Sequence, residues 1–120
     1  MDKKLVGRFG EQSAAEYLKK KHYKIIGLNY SCRFGEVDII AENKKYVVFV
    51  EVKLRKSDEF AEAKEFVTLS KQEKIIKTAS LWLSQNETQL QPRFDVVEIY
   101  APDGVNSKSI KINHIENAFQ

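Results

Sequence analysis

Residues 46–54 read Tyr46-Val47-Val48-Phe49-Val50-Glu51-Val52-Lys53-Leu54. β-branched and aromatic side chains dominate this stretch, so it is the most strand-prone part of the chain and the expected centre of a sheet. Strand side chains alternate between faces, which puts Val47, Phe49, Glu51 and Lys53 on one side and Val48, Val50, Val52 and Leu54 on the other. An acid and a base therefore share a face inside a run that ought to be apolar.

The segment before it, Glu36-Val37-Asp38-Ile39-Ile40-Ala41, reads as a second strand, and Glu42-Asn43-Lys44-Lys45 as the hairpin turn between the two. Whether Asp38 meets Glu51 depends on the register of that hairpin, because directly opposed residues lie on the same side of a sheet. A two-residue loop makes Asp38 diagonal to Glu51, and a four-residue loop sets them directly opposite. A three-residue loop without a bulge throws them onto opposite faces.

Outward from this pair, residues 8–22 carry Phe9, Ala14, Ala15, Tyr17 and Leu18 with charges between them, the pattern of an amphipathic helix. Residues 23–30 read as a first strand with Gly27 as a candidate bulge. Residues 55–69 are charged and irregular, as a loop over the strands would be. A second helix is expected from 71 to 86, with Ser70 as N-cap and Glu73 three residues on. Ile75, Ile76, Ala79, Trp82 and Leu83 form its buried stripe. Pro92 precedes a strand at 94–101, Asp103-Gly104 marks a turn, and residues 109–114 suggest an edge strand. The order α-β-β-β-α-β implies a mixed sheet flanked by helices.

Opposed acids repel, so gathering Glu36, Asp38 and Glu51 on one face is costly unless a cation offsets them. Carboxylate oxygens suit Mg²⁺, which keeps several waters and binds through one or two acids plus phosphate. Lys53 can neutralise such a site or orient an attacking water; an incidental solvated Glu–Lys pair is the competing reading. Glu11 lies on the helical face of Ala14, Ala15 and Leu18, an acid on an otherwise buried stripe. An acid early in a helix also favours the positive end of the dipole, so both readings stand for it.

These residues are also where the chain becomes recognisable. Gly7-Arg8-Phe9-Gly10-Glu11, Ala14, Tyr17-Leu18, Asn29-Tyr30, Arg33-Phe34-Gly35-Glu36-Val37-Asp38-Ile39-Ile40 and Phe49-Val50-Glu51-Val52-Lys53 closely resemble the YraN family. So do Lys71-Gln72 with Ala79, and Arg93-Phe94-Asp95-Val96-Val97. These small bacterial proteins are endonuclease-like and related to archaeal Holliday-junction resolvases. The resemblance spans nearly the whole chain. It implies a restriction-endonuclease-like α/β fold, with residues 1–120 as a single PD-(D/E)XK domain. By position, Asp38 resembles the motif's aspartate, Glu51 its second acid and Lys53 its lysine. Glu11 resembles the helical acid that completes many such metal sites, and Gln72 a helix-borne glutamine that supports the site or touches DNA. Two departures stand out: Val37 replaces the proline of the superfamily's name, and Ile76 replaces a tyrosine of certain exonuclease branches.

The remaining features bound the reading. The 120 residues, 42% hydrophobic and 31% charged, describe an ordinary globular chain. A five-residue apolar run, 46–50, cannot span a bilayer, no secretory leader is legible and cytoplasmic residence is the default. The single cysteine, Cys32, excludes an internal disulfide framework, and it reads as an inert turn thiol. The net charge of +3 is compatible with an anionic partner without demanding one. Lys19-Lys20-Lys21 reads first as favourable cations at a helix end. His22 and His114 read as surface or packing residues, Trp82 as core, and Asp95 as structural. The expectation is Mg²⁺-dependent phosphodiester hydrolysis, with Mn²⁺ as a substitute, on DNA that includes branched or junction forms. Asp38, Glu51 and Glu11 would hold the metal, Lys53 would serve the chemistry, and Arg8, Arg33, Arg55 and Gln72 would contact nucleic acid. The alternative is a non-catalytic nucleic-acid-binding module of a repair or uptake complex. No membrane partner is expected, and a homodimer stays open.

Overall fold

The computed structural model describes residues 3–55 and 67–120. Helix α1 (Lys3–Lys20) leads into strands β1 (Lys24–Cys32), β2 (Gly35–Glu42) and β3 (Tyr46–Arg55). Helix α2 (Leu69–Gln85), strand β4 (Gln91–Tyr100), a 3-10 turn (Gly104–Asn106) and strand β5 (Lys111–Phe119) follow. The expected 55–69 loop falls largely on residues 56–66, outside the described residues.

The five strands lie in the order β1-β2-β3-β4-β5. Neighbours pair antiparallel except β3 and β4, which run parallel on either side of the α2 crossover. This mixed sheet between two helices is the expected α-β-β-β-α-β order plus the edge strand, and is consistent with a restriction-endonuclease-like core. The centre of β3 is buried on both faces, which is why its sequence is nearly continuously apolar. Val48 and Val50 join Ala14, Leu18, Ile39, Val97 and Ile99 in a core under α1. Val47 and Phe49 join Ile40, Ile75, Ala79 and Val96 under α2. Trp82 packs edge-on against Phe49, as its helical stripe predicts.

Element ends differ from expectation for local reasons. Helix α1 begins at Lys3 rather than residue 8 and ends two residues before the expected 22. His22 is a surface residue, one of its two expected readings, and it adopts φ 71° as the left-handed stop of α1. Its N–H donates to Lys19 O, and the Tyr23 N–H to Leu18 O, the paired closure of a Schellman end. The β1–β2 register shifts between Ile25 and Gly27, placing the bulge beside the expected glycine. Helix α2 is capped by Thr68, not Ser70, with Thr68 Oγ1 accepting the Lys71 N–H at 3.1 Å.

His114 takes the packing side of its sequence reading. Its side chain is buried, with Nε2 2.6 Å from Asp95 Oδ2 and Nδ1 3.2 Å from the Tyr17 hydroxyl. Arg93 grips the same carboxylate with two hydrogen bonds, at 2.9 and 2.8 Å, and the Asn117 N–H adds a third donor where β5 bulges. Burial alone would raise the Asp95 carboxyl, but the bonds from His114, Arg93 and the Asn117 amide outweigh it and hold it below the ordinary range. Asp95 thus ties β4 to β5, and through His114 to α1. Removing one partner of a buried pair strands the other, so Asp95→Ala should lower the unfolding free energy by about 3–5 kcal/mol. A urea-denaturation difference below about 1 kcal/mol would contradict this structural role.

Candidate functional site

Pairing of β2 with β3 runs from Glu42↔Val47 to Ile39↔Val50 and stops there. Four residues, 43–46, therefore separate the paired ends. Asn43 closes that loop, its Oδ1 accepting from the N–H groups of Lys45 and Tyr46 at 2.9 and 2.8 Å. This is the register that aims Asp38 at Glu51. Beyond Ile39 the strands part. Val37 and Ile40 belong to the core under α2 while Ile39 and Ala41 belong to the core under α1, so the alternation slips at Asp38. In place of a backbone carbonyl, Asp38 Oδ2 accepts the Val52 N–H at 2.8 Å.

The fork lets acids from different elements meet. Glu11, reaching from α1, and Glu36 and Asp38, from β2, can bring one carboxylate oxygen each within 4.8 Å of one another. Asn29, in the left-handed conformation at φ 51°, donates to Glu11 Oε2 at 3.0 Å and steadies it. On the α2 side, Glu36, Asp38, Glu51, Lys71 and Lys74 line a small cleft of about 210 Å³ together with Gly35 and Ile75. Gly35 closes one end: its φ is +156°, and an added Cβ would sit 3.4 Å from Lys74 Cβ. A side chain there would be strained by its backbone conformation.

Glu51 is 5% exposed. Its Oε1 lies 3.2 Å from Lys71 Nζ and 3.9 Å from Lys53 Nζ. Its Oε2 is buried and has no hydrogen-bond partner among the described residues. Asp38 shows the matching strain: burial, and then the charge of Glu51, push its carboxyl from 3.8 up to about 7, against the Val52 hydrogen bond. Glu11 and Glu36 add smaller upward contributions. A buried carboxylate oxygen with no donor beside a partly protonated acid is a hard-oxygen donor set short of positive charge. Of the three acids expected at a metal, Asp38 is brought to Glu11 and Glu36 in one cluster and to Glu36 and Glu51 in the cleft; Glu11 and Glu51 are not joined in either group.

The basic candidates divide. Arg33 is exposed at the β1–β2 turn, its guanidinium 4.8 Å from the centre of the Phe34 ring. Arg8 is exposed on the α1 groove that also contains Glu11 and Asn29. Arg55 is engaged inward, its Nε 2.7 Å from Glu98 Oε2. Gln72 donates to Val67 O at 2.9 Å and faces a hollow with Val96, Ile115 and Phe119 rather than the acid cleft. A larger hollow of about 580 Å³ lies beside Tyr46, Phe94 and Glu116, but its Arg93 is already committed to Asp95.

Sequence reasoning weighed Glu36 as a neighbouring acid without giving it a role, quoted Lys71 only within the family resemblance, and passed over Glu98. Glu98 had a legible signal, an acid inside the apolar run Val96-Val97-Glu98-Ile99. It is 1% exposed and is held by Arg55, Asn113 and Tyr100. The Lys71-Gln72 motif gave Lys71 no partner, because its approach to Glu51 is purely tertiary.

The model of the family described as "Uncharacterised protein family UPF0102" matches residues 10–99. A UPF0102 protein of Caldanaerobacter subterraneus is 48% identical, with 99% of this chain and 98% of that protein covered. One from Caldicellulosiruptor bescii is 47% identical over 99% and 100% of the two chains. One from Sulfurihydrogenibium is 42% identical over 99% and 97%. No helix among the described residues is long and apolar enough to cross a membrane.

The Asp38 carboxyl sets a pH test. Between pH 3.8 and about 7 the folded chain keeps a proton that the unfolded chain has lost. Metal-free stability should therefore fall as pH rises through this window, by on the order of 3 kcal/mol. Asp38→Asn keeps an acceptor for the Val52 N–H and removes the titration. It should match wild type below pH 4 and exceed it above pH 7, read by chemical denaturation in chelator across that range. Parallel curves for the two proteins would show that the carboxyl is not held protonated.

Proposed function

Because the chain belongs to the UPF0102 (YraN) family, whose motifs its sequence resembles, we propose that it is a divalent-metal-dependent nuclease acting on DNA phosphodiesters, branched or junction forms included. The observation that carries this reading is the buried, unpartnered Glu51 Oε2 in the cleft it shares with Asp38. A binding surface for phosphate alone gains nothing from clustered carboxylates, which repel it.

Asp38, Glu51 and Glu11 would hold the ion, with Glu36 at the rim. The oxygen-only donor set favours Mg²⁺, with Mn²⁺ able to replace it. When bound, such an ion supplies Lewis acidity, offsetting phosphate charge and lowering the pKa of water. The chain's own groups do the rest. Lys53 lies beside Glu51 with its side chain 31% exposed, near enough to water to orient an attacking molecule. From there its ammonium can also stabilise charge developing on the phosphate. Arg33, at the turn leading into the Asp38 strand, can clasp a neighbouring phosphate with two hydrogen bonds and set the register of the substrate.

These roles separate by measurement. Lys53→Ala should reduce single-turnover cleavage at saturating DNA by about 10²-fold or more while leaving affinity within a few-fold. Arg33→Ala should weaken binding and lower the slope of log affinity against log salt by about one. The panel is linear duplex, single-stranded and four-way DNA with Mg²⁺ or Mn²⁺. Binding without cleavage of any member, with Lys53→Ala behaving like Arg33→Ala, would instead identify a binding module.

A further inference from the structure

The cleft already contains a cation of the chain's own. Lys71 Nζ lies 3.2 Å from Glu51 Oε1, closer than Lys53 at 3.9 Å. Its backbone is pinned, since its N–H is the one that Thr68 caps. Its side chain is 49% exposed, so the ammonium keeps one side in water. The position is locally unfavourable for a cation: Lys71 sits in the first turn of α2, where the helix dipole is positive, and no acid accompanies it there. Glu51 is the interaction that offsets this. A lysine ammonium on a flexible stem is also easily moved, unlike the fixed fork of an arginine.

Glu51 meanwhile is only half satisfied. Lys71 and Lys53 both approach Oε1, and Oε2 remains without a donor. A divalent cation that engaged this carboxylate would face Lys71 as a rival charge a few ångströms away, and the two repel. Lys74 lines the same wall of the cleft.

We infer that Lys71 is a built-in counter-ion that holds Glu51 until a divalent cation arrives, yields the carboxylate to it, and then offers its ammonium to the phosphate of the substrate. This rests on the cation-binding reading given above. The consequence is linkage: phosphate draws Lys71 off Glu51 and so strengthens cation binding, and the cation strengthens phosphate binding by the same factor.

The test is Mn²⁺ affinity of the full chain without DNA, read from the paramagnetic resonance signal of free Mn²⁺. Lys71→Gln should bind Mn²⁺ about three- to tenfold more tightly than wild type, because the rival charge is gone. Lys71→Arg, which keeps the charge, should stay near wild type. Lys77→Gln removes an equal charge from the exposed face of α2 and should change nothing. With Ca²⁺ present, Lys71→Gln should lose affinity for a short DNA duplex. Unchanged or weaker Mn²⁺ binding by Lys71→Gln, while wild type binds, would overturn the inference. Equal tightening by Lys77→Gln would do so as well, by reducing the effect to net charge. Absence of Mn²⁺ binding in wild type and Lys71→Gln alike would instead remove the cation-binding reading and this inference with it.

Discussion

A peptide N–H on a central strand must find an acceptor once its neighbouring strand turns away, and at Val52 that acceptor is the Asp38 carboxylate. Ladder pairing holds β2 to β3 only as far as Ile39↔Val50. Beyond that point the side chain of Asp38 does the joining, and the gap it spans is where Glu36 approaches it with Glu11 from the α1 side and with Glu51 in the cleft on the α2 side. Had the ladder continued, the Val52 amide would have found its acceptor in the backbone of β2. The fork thus converts a structural requirement, satisfying one amide, into a cluster of acids.

Two polar networks in the same sheet make the contrast plain. Asp95 is fully buried, yet Arg93, His114 and the Asn117 amide satisfy it and hold it ionised. That network joins β4, β5 and α1 and asks for nothing further. Glu51 is nearly as buried but is left with an oxygen that no described donor reaches, beside an Asp38 that burial and Glu51 push up to about 7. Unsatisfied buried polar groups are expensive, so each exception calls for an explanation, and the proposed cation supplies one for Glu51. The two carboxylates differ in what surrounds them rather than in depth.

Much of this was legible in the chain because strand periodicity is short and strict. Period two alone sets Glu51 and Lys53 on one face, whereas the meeting of Asp38 with Glu51 hung on a hairpin register that the sequence left open and the Glu42↔Val47 pairing decides. Helical periodicity likewise flags Glu11 as an acid on a buried stripe. What sequence could not give is tertiary. The contact of Lys71 with Glu51 crosses from α2 to β3, that of Arg55 with Glu98 from β3 to β4, and that of His114 with Asp95 from β5 to β4. Helix ends shifted because Thr68 and Ser70 are both competent caps two residues apart, and only the Lys71 amide shows which is used. Gln72 looks free as a helical side chain, yet its amide turns back to Val67 O.

The proposed cation site lies in the fork between β2 and β3 and is built on Asp38 and Glu51. Its most direct measurement is a crystal structure of the chain grown with Mn²⁺, with anomalous differences collected at the manganese edge. One peak is expected within about 2.5 Å of both an Asp38 and a Glu51 oxygen, with Glu51 Oε2 no longer without a partner. A peak elsewhere on the surface, with Glu51 still held by Lys71 alone, would contradict it.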